Sequence, residues 1–122
     1  MGYELIWEPR GVIKRFFGPV TGQELYEAGT DTEGDARFED YRYVINDFLG
    51  CTEFSVSDNI IEEIAAVDGA AAILNPNIRI AVVAKSPEIL AAVTQYSESS
   101  MHPYATGVFS ALADARAWLA SN

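Results

Sequence analysis

The residue types that most often carry enzymatic chemistry are scarce in this sequence. Cys51 and His102 are the single residues of their kinds, and each lies in a predicted loop. A cysteine nucleophile needs a histidine within hydrogen-bond reach and an oxyanion hole, and nothing in the sequence indicates either. A zinc site needs three or four nitrogen, sulfur or oxygen ligands at suitable spacing. We therefore predict no Cys–His catalytic pair, no metal site and no cofactor.

A second group of polar residues follows the predicted strands at their carboxyl ends, where open α/β sheets usually bind ligands. Asp47 ends the central strand, and its carboxylate either contacts a ligand or partner or caps its own loop. Lys85 and Ser86 follow the next strand. Either they hold an anion at a helix start, or Lys85 is a solvated loop lysine.

Three further polar residues are candidates for contacts with a ligand or partner. Ser55 and Ser57 precede the helix after the central strand, and either can cap it. His102 lies in the segment 97–104, which is either a mobile flap over a groove or a plain connection. The candidate binding residues are therefore Asp47, Ser55, Ser57, Lys85, Ser86 and His102.

The charge of the chain limits its partners. It carries 18 acidic and 8 basic residues, for a net charge of −10, and the acids concentrate in residues 24–40 and 53–68. Such a surface repels phosphate groups, so we expect it to bind neither nucleic acid nor anionic lipid headgroups. The acids either keep the protein soluble or form a docking face for a basic partner.

Length and composition predict a single domain over residues 1–122. Hydrophobic residues make up 49% of the chain and charged residues 21%, which is typical of a globular protein. Cys51 has no second cysteine to pair with, the N-terminal segment MGYELIWEPRG lacks the features of a signal peptide, and no apolar run is long enough to span a membrane. We expect a cytoplasmic protein that is not an integral membrane protein.

The hydrophobic pattern predicts an α/β fold. Residues 3–8 and 11–18 predict two antiparallel strands joined by a turn. Residues 42–48 and 78–84 are nearly continuous apolar runs, which predict buried strands, and residues 104–109 predict the last strand. Helical patterns separate the later strands. The order ββαβαβαβα predicts a mixed, mostly parallel five-stranded sheet, with the first strand antiparallel and four helices.

Capping signals predict where helices start. Thr21 and Glu24 have the spacing of a capping box, which starts a helix at Gly22. Ser86 and Pro87 predict an N-cap followed by proline at the first helical position. The helix after the central strand has a predicted core stripe of Ile60, Ile64, Val67, Ala71 and Leu74. The predicted core comprises Ile6, Phe16, Val44, Ile45, Ile64, Val67, Ile80, Val82, Leu90, Val93, Val108 and Leu119.

This order of elements over residues 3–120 resembles the STAS-like families, especially the SpoIIAA-like branch related to bacterial anti-sigma-factor antagonists. The stretches that carry the likeness are FGPVT at 17–21, YVIND at 43–47, RIAVV at 79–83, VFS at 108–110 and DARAWL at 114–119. Antagonist members carry an Asp-Ser-Ser-Gly type motif after the central strand, in which a partner kinase phosphorylates the second serine. Here Asp47 is followed by FLGCT, so an intact phospho-switch motif is absent.

The resemblance implies a non-enzymatic regulatory or protein-interaction module that binds a protein partner through its acidic helices and the loop after the central strand. The alternative is a carrier or sensor of a small hydrophobic, lipid-like ligand, because the small residues at 65–72 can leave a gap between helix and sheet. We also expect a homodimer that buries apolar side chains beside the inner helix stripes. The candidate contact residues are Ile61, Ile73, Tyr96 and Trp118.

Overall fold

The computed structural model describes residues 2–121. The chain begins with a β-hairpin. Strands β1 (Tyr3–Glu8) and β2 (Gly11–Thr21) pair antiparallel, with Glu8 opposite Gly11. The two residues between them, Pro9 and Arg10, form the turn. Proline suits this position because its ring fixes φ at the value that the turn requires.

Three further strands complete a single sheet. They are β3 (Tyr43–Ser55), β4 (Arg79–Val83) and β5 (Ala105–Phe109), and each is parallel to its preceding neighbour. The spatial order is β1-β2-β3-β4-β5. This confirms the predicted mixed five-stranded sheet and the order ββαβαβαβα.

The helices form two unequal layers. Helices α1 (Gly22–Glu33), α2 (Asp58–Ala71) and α3 (Pro87–Glu98) cover one face of the sheet, and α4 (Leu112–Ala120) covers the other. A short 3₁₀ helix, Ala36–Glu39, which was not predicted, follows α1. No helix among residues 2–121 has the length and hydropathy needed to cross a membrane.

Strand alternation decides which side chains face each layer. Val12 and Phe16 belong to the core beneath the three-helix layer, whereas Ile13 and Ile45 pack with the residues of α4. Lys14 lies between Val12 and Phe16 on the same strand, so it shares their face and points toward the three helices.

The predicted capping box is confirmed. The Glu24 backbone N–H donates to Thr21 Oγ1 at 3.2 Å, and the Thr21 backbone N–H donates to Glu24 Oε1 at 3.1 Å. Ser86 stands at the N-cap position of α3, as predicted, but its hydroxyl donates to Glu88 Oε2 at 2.6 Å instead of capping the helix.

Strands β2 and β3 continue beyond their predicted ends. β4 pairs with β3 only as far as Asp47, but β2 and β3 stay paired up to Thr21 and Ser55. Two register shifts and a positive φ of 65° at Gly18 accommodate the twist of this extension. We call residues 17–21 and 50–55 the β2–β3 arm. Its formation turns the predicted loop after the central strand into strand.

The predicted core stripe of α2 was wrong by one position. The buried residues of this helix are Ile61 and Ala65, whereas Leu74 lies beyond the helix end and is 64% exposed. The helix packs beside α1 as well as on the sheet, so Ile60 turns sideways to meet Gly22.

Most of the other predicted core residues lie in the interior. Leu90 and Val108 were wrong, since they are 37% and 42% exposed. Val108 belongs to the edge strand β5, whose outer end no helix covers. Two of the residues predicted to contact a second copy in a homodimer already make contacts within the chain. Ile61 is buried, and the Tyr96 hydroxyl donates a hydrogen bond to Asp68.

Asn75 joins the end of α2 to the segment before β3. It is 2% exposed, and its side-chain amide donates to the carbonyls of Phe38 at 2.8 Å and Tyr41 at 2.7 Å. Its own carbonyl accepts from the Tyr104 hydroxyl at 3.0 Å. The amide thus satisfies two carbonyls that have little access to water.

Asn75→Ala should lower the free energy of unfolding by about 2–3 kcal/mol, because it leaves those two carbonyls without a donor. Urea denaturation measures this change. Asn77→Ala, at an exposed position in the same loop, is the matched control and should stay within about 0.5 kcal/mol of the wild type. Equal stability of the two variants would contradict this role of Asn75.

Candidate functional site

A cavity of about 120 Å³ lies between the sheet and helices α1, α2 and α3. Its floor is formed by residues of the sheet that face the three-helix layer: Lys14, Phe16, Val44, Asn46, Phe48 and Val82. Its roof is formed mainly by Leu25, Ile61, Ile64, Ile89, Val93 and Tyr96. Apolar and aromatic side chains therefore make most of the wall, with a few polar groups among them.

The space exists because two small residues stand where larger ones would fill it. Gly29 of α1 and Ala92 of α3 both line the cavity. A Cβ atom added at Gly29 would meet no atom within 4 Å outside its own helix and neighbours. The small residues predicted to leave a gap lie elsewhere, since Ala65 at the start of that segment is fully packed.

The seam between α1 and α2 lies directly above the cavity. A small cleft of about 10 Å³ opens there. Five residues line both the cleft and the cavity: Leu25, Gly29, Glu33, Ile64 and Asp68. The α1–α2 seam therefore adjoins both the cleft and the cavity.

Lys14 brings an amine to the floor of the cavity. It lies directly opposite Asn46 in the β2–β3 register. The side chain is half-buried and lines the cavity. Within residues 2–121, Lys14 is in none of the side-chain ion pairs. Burial lowers the pKa of the amine, and the charges of Asp68, Glu33 and Asp31 act in the opposite direction.

Two carboxyl groups face this amine from the helices. Glu33 of α1 and Asp68 of α2 line both the cavity and the cleft, and Asp68 acts on the pKa of Glu33. Burial first, and then the neighbouring Asp68, raises the pKa of Glu33 from 4.5 to about 9. The Tyr96 hydroxyl also donates to Asp68 Oδ2 at 2.6 Å. Glu33 is therefore a neutral carboxylic acid at physiological pH.

These groups give the cavity both an apolar body and a polar end. Apolar walls with a few convergent polar groups are the usual features of a small-molecule site. Lys14 supplies an amine, and Glu33 supplies an acid that can donate a proton inside the same space. The cavity can thus hold a small apolar molecule and contact one polar group on it.

The residues predicted at the carboxyl edge of the sheet are engaged in local structure. Asp47 is 7% exposed, accepts the Leu49 backbone N–H at 2.9 Å and lies 3.7 Å from Arg15 Nε. Lys85 is exposed after β4, and Ser86 follows it at the start of α3.

The remaining predicted site residues lie in different places. Ser57 caps α2 by accepting the Ile60 backbone N–H at 3.4 Å, and Ser55 ends the β2–β3 arm. His102 lies before β5, at the opposite edge of the sheet from Asp47. Its Nδ1 is 2.9 Å from the Ser99 carbonyl oxygen. None of the six predicted residues lines the cavity, so they do not form a common site with it.

Cys51 and His102 are also held apart. Cys51 lies in the β2–β3 arm, beyond the carboxyl end of β4, with Sγ 3.3 Å from the Glu53 carbonyl oxygen. His102 lies at the amino end of β5. Residues 2–121 contain no cluster of three or more His, Cys, Asp or Glu side chains arranged to hold a metal ion.

Sequence reasoning missed Lys14, Glu33 and Asp68, although each leaves a signal. Lys14 interrupts the apolar alternation of Val12 and Phe16 on a strand. Asp68 falls three residues after the buried Ala65 on α2, and Glu33 falls four after Gly29 on α1. A charged residue is rare at a position that the helix or strand period places toward the core, unless it is paired or functional.

Glu33→Gln should change how stability depends on pH. Because the pKa of Glu33 is raised from 4.5 to about 9, the folded state keeps a proton that the unfolded chain loses in this range. The stabilisation is complete below pH 4.5 and is lost as the pH rises through 9, whereas glutamine does not titrate. The variant should therefore gain stability relative to the wild type with rising pH, by at least about 2 kcal/mol across the range, since one pKa unit is worth about 1.4 kcal/mol.

Urea denaturation from about pH 5 to about pH 9 measures this difference. Lys14 and Asp68 face Glu33 in both proteins, so the comparison isolates the change at Glu33. The exposed Glu63→Gln on α2 is the control and should run parallel to the wild type. Parallel curves for Glu33→Gln as well would show that Glu33 titrates normally.

The fold is shared with solved structures of an anti-sigma-factor antagonist. SpoIIAA in its unphosphorylated form is 14% identical, with a TM-score of 0.62, and the match covers 94% of each chain. The Bacillus cell fate determinant SpoIIAA in its phosphorylated form is 16% identical, with a TM-score of 0.59, and the match covers 94% of this chain and 98% of that one. No family model and no curated protein matches the sequence. The chain has a SpoIIAA-like, STAS-like fold, as its order of strands and helices predicted.

Proposed function

We propose that the protein is a non-enzymatic binding module that carries or senses a small, mainly apolar molecule in the cavity beneath α1, α2 and α3. The observation that carries this proposal is the cavity of about 120 Å³ itself. Protein interiors rarely contain voids larger than a water molecule, and voids reduce stability. An apolar cavity of about 150 Å³ in another protein holds benzene, so this space suits a ligand of about that size.

The lining indicates an amphipathic ligand. Phe16, Phe48 and Val93 offer an apolar surface for its body. Lys14 and Glu33 offer an amine and a carboxylic acid to one polar group. A purely apolar ligand would leave the Lys14 amine without a partner, which costs about 1–3 kcal/mol.

The affinity for a simple probe follows from the apolar surface that it buries. Each buried methylene contributes about 0.8 kcal/mol, so a six-carbon chain supplies about 5 kcal/mol before the cost of immobilisation. A dissociation constant near 1 mM corresponds to about 4 kcal/mol. Millimolar 1-hexanol is therefore a suitable first probe, and native mass spectrometry of the purified protein reports any ligand already bound.

Gly29→Leu should abolish binding of 1-hexanol, because its Cβ atom would stand in open space at the α1–α2 seam and the rest of the side chain would occupy part of the cavity. Thermal unfolding with and without 1-hexanol measures this. The wild type and Gly29→Ala should be stabilised by the probe, and Gly29→Leu should not. Gly29→Ala alone should raise stability by up to about 1 kcal/mol, since alanine favours a helix more than glycine does.

Ala91→Leu, at an exposed position of α3, controls for added side-chain volume and should respond to 1-hexanol as the wild type does. Two outcomes oppose the proposal. One is an equal response of Gly29→Leu and the wild type. The other is a wild-type protein that 1-hexanol does not stabilise and whose native mass equals that of the bare chain.

A second candidate is a regulatory module that binds a protein partner, as the SpoIIAA-like fold suggests. The feature that favours it is the β2–β3 arm. Within residues 2–121, the β3 side of the arm pairs with β2 alone, so one strand edge is open to an extended peptide. Phe17 and Leu49, at the base of the arm, are 43% and 49% exposed. A second copy of the chain is one candidate partner, and the homodimer and the cytoplasmic location stay predictions.

Leu49→Lys should weaken binding of any partner that uses the arm, because it places a charge in an apolar contact. The exposed Leu74→Lys, just beyond the end of α2, is the matched control. Affinity purification followed by a binding measurement with the purified partner tests this. A partner that tolerates Leu49→Lys but not Leu74→Lys would move the interface away from the arm.

A further inference from the structure

We propose that Lys14 is a covalent site at which a small apolar aldehyde or ketone is held reversibly as an imine. This inference rests on the proposed use of the cavity and specifies the chemical class of its occupant. It assigns a purpose to an amine that the fold does not require.

The position of Lys14 is costly for the fold. Its neighbours on the same strand face, Val12 and Phe16, are buried apolar residues. A methionine there would fill similar volume without desolvating a charge. Among the described residues, no acid lies within ion-pair distance of Lys14, although Glu33 and Asp68 line the same cavity. The amine and the carboxyl pair therefore share the cavity without forming an ion pair, and a carbonyl compound bound in the cavity would lie among them.

The environment favours the reactive form of the amine. Only an unprotonated amine attacks a carbonyl carbon, and burial lowers the pKa of Lys14. Each unit by which a lysine pKa falls raises its unprotonated fraction at neutral pH about tenfold. Lys85, the other lysine of the chain, lies exposed on a loop. Lys85 therefore serves as the internal reference for Lys14 within the same protein.

Glu33 supplies the proton that imine formation needs. The Lys14 nitrogen bonds to the carbonyl carbon, and a proton moves from nitrogen to oxygen to give a carbinolamine. Glu33 then protonates the hydroxyl, the C–O bond breaks, water leaves, and the nitrogen lone pair forms C=N. Amine, carbonyl compound and carboxylic acid become iminium, water and carboxylate, so atoms and charge balance without an oxidant. The iminium ends beside the new Glu33 carboxylate, which compensates its charge.

The cavity sets the size of the carbonyl compound. Its volume of about 120 Å³ suits a chain of about six carbons or a single ring. Hexanal is the test compound, and 1-hexanol is its closest analogue without a carbonyl group. Both have the same apolar tail, so they separate covalent capture from simple occupancy.

The experiment is reductive trapping of the intact wild-type protein. Hexanal and cyanoborohydride convert an iminium into a stable hexyl-lysine, which peptide mapping by mass spectrometry locates. We expect Lys14 to be labelled severalfold faster than Lys85, because the cavity concentrates hexanal beside the amine and burial lowers the pKa of that amine. Excess 1-hexanol should suppress labelling of Lys14 and leave Lys85 unchanged. Because the ratio is measured within one folded protein, misfolding of a variant cannot imitate it.

Variants of Lys14 and Glu33 separate the role of the amine from the role of the carboxylic acid. Lys14→Met should lose the fast labelling entirely, and Glu33→Gln should slow labelling of Lys14 relative to Lys85. If 1-hexanol binds but Lys14 is labelled no faster than Lys85, the imine is overturned and the binding function stands. If 1-hexanol does not bind and Lys14 is not labelled, both proposals fail.

Discussion

The parallel pairing of β2 with β3 is the constraint on which the rest of the structure depends. It runs from Gly11 opposite Tyr43 to Thr21 opposite Ser55, and β3 in turn carries β4 and β5. Side chains alternate between the two faces of a strand, so a slip of one residue would move Lys14 to the layer of α4. The core beneath the three helices and the cavity within it are therefore fixed by one register. The stacked rings of Phe16 and Phe48, 4.6 Å apart, lock β2 and β3 together beside the cavity.

The same register places a polar cluster, formed by Lys14, Glu33 and Asp68, inside the apolar layer beneath the helices. Two carboxyls and one amine cannot all be ionised there at low cost, and the fold meets this problem by keeping a proton on Glu33. Tyr96 adds a hydrogen bond to Asp68, which stabilises the arrangement further. Apolar residues of similar volume would be at least as stable at these positions. Stability alone thus gives no reason for the cluster.

The sequence predicts the positions of the strands and helices better than it predicts which of their faces are buried. The capping box at Thr21, the buried run of β4 and the strand–helix order depend on local signals, and the structure confirms them. The arm was missed because β3 continues through Gly50 only by pairing with β2, which is distant in sequence. The α2 stripe rotated because α1 and α3 flank the helix, and sequence periodicity contains no information on neighbours. A gap between helices and sheet was predicted, but its polar lining was missed for the same reason: Lys14, Glu33 and Asp68 come from three separate elements.

Hydrogen-bond satisfaction distinguishes the two regions that compete for a functional role. At the carboxyl edge, Asp47 accepts from Leu49, Ser57 caps α2 and Ser86 bonds to Glu88, so these groups already serve the local fold. In the cavity, Lys14 lies in an apolar wall and, within residues 2–121, outside every side-chain ion pair. At the carboxyl edge, where open α/β sheets usually bind their ligands, the polar side chains named above are thus engaged in local contacts, whereas the face of the sheet beneath the helices carries an amine that forms no ion pair with the residues that the structure describes.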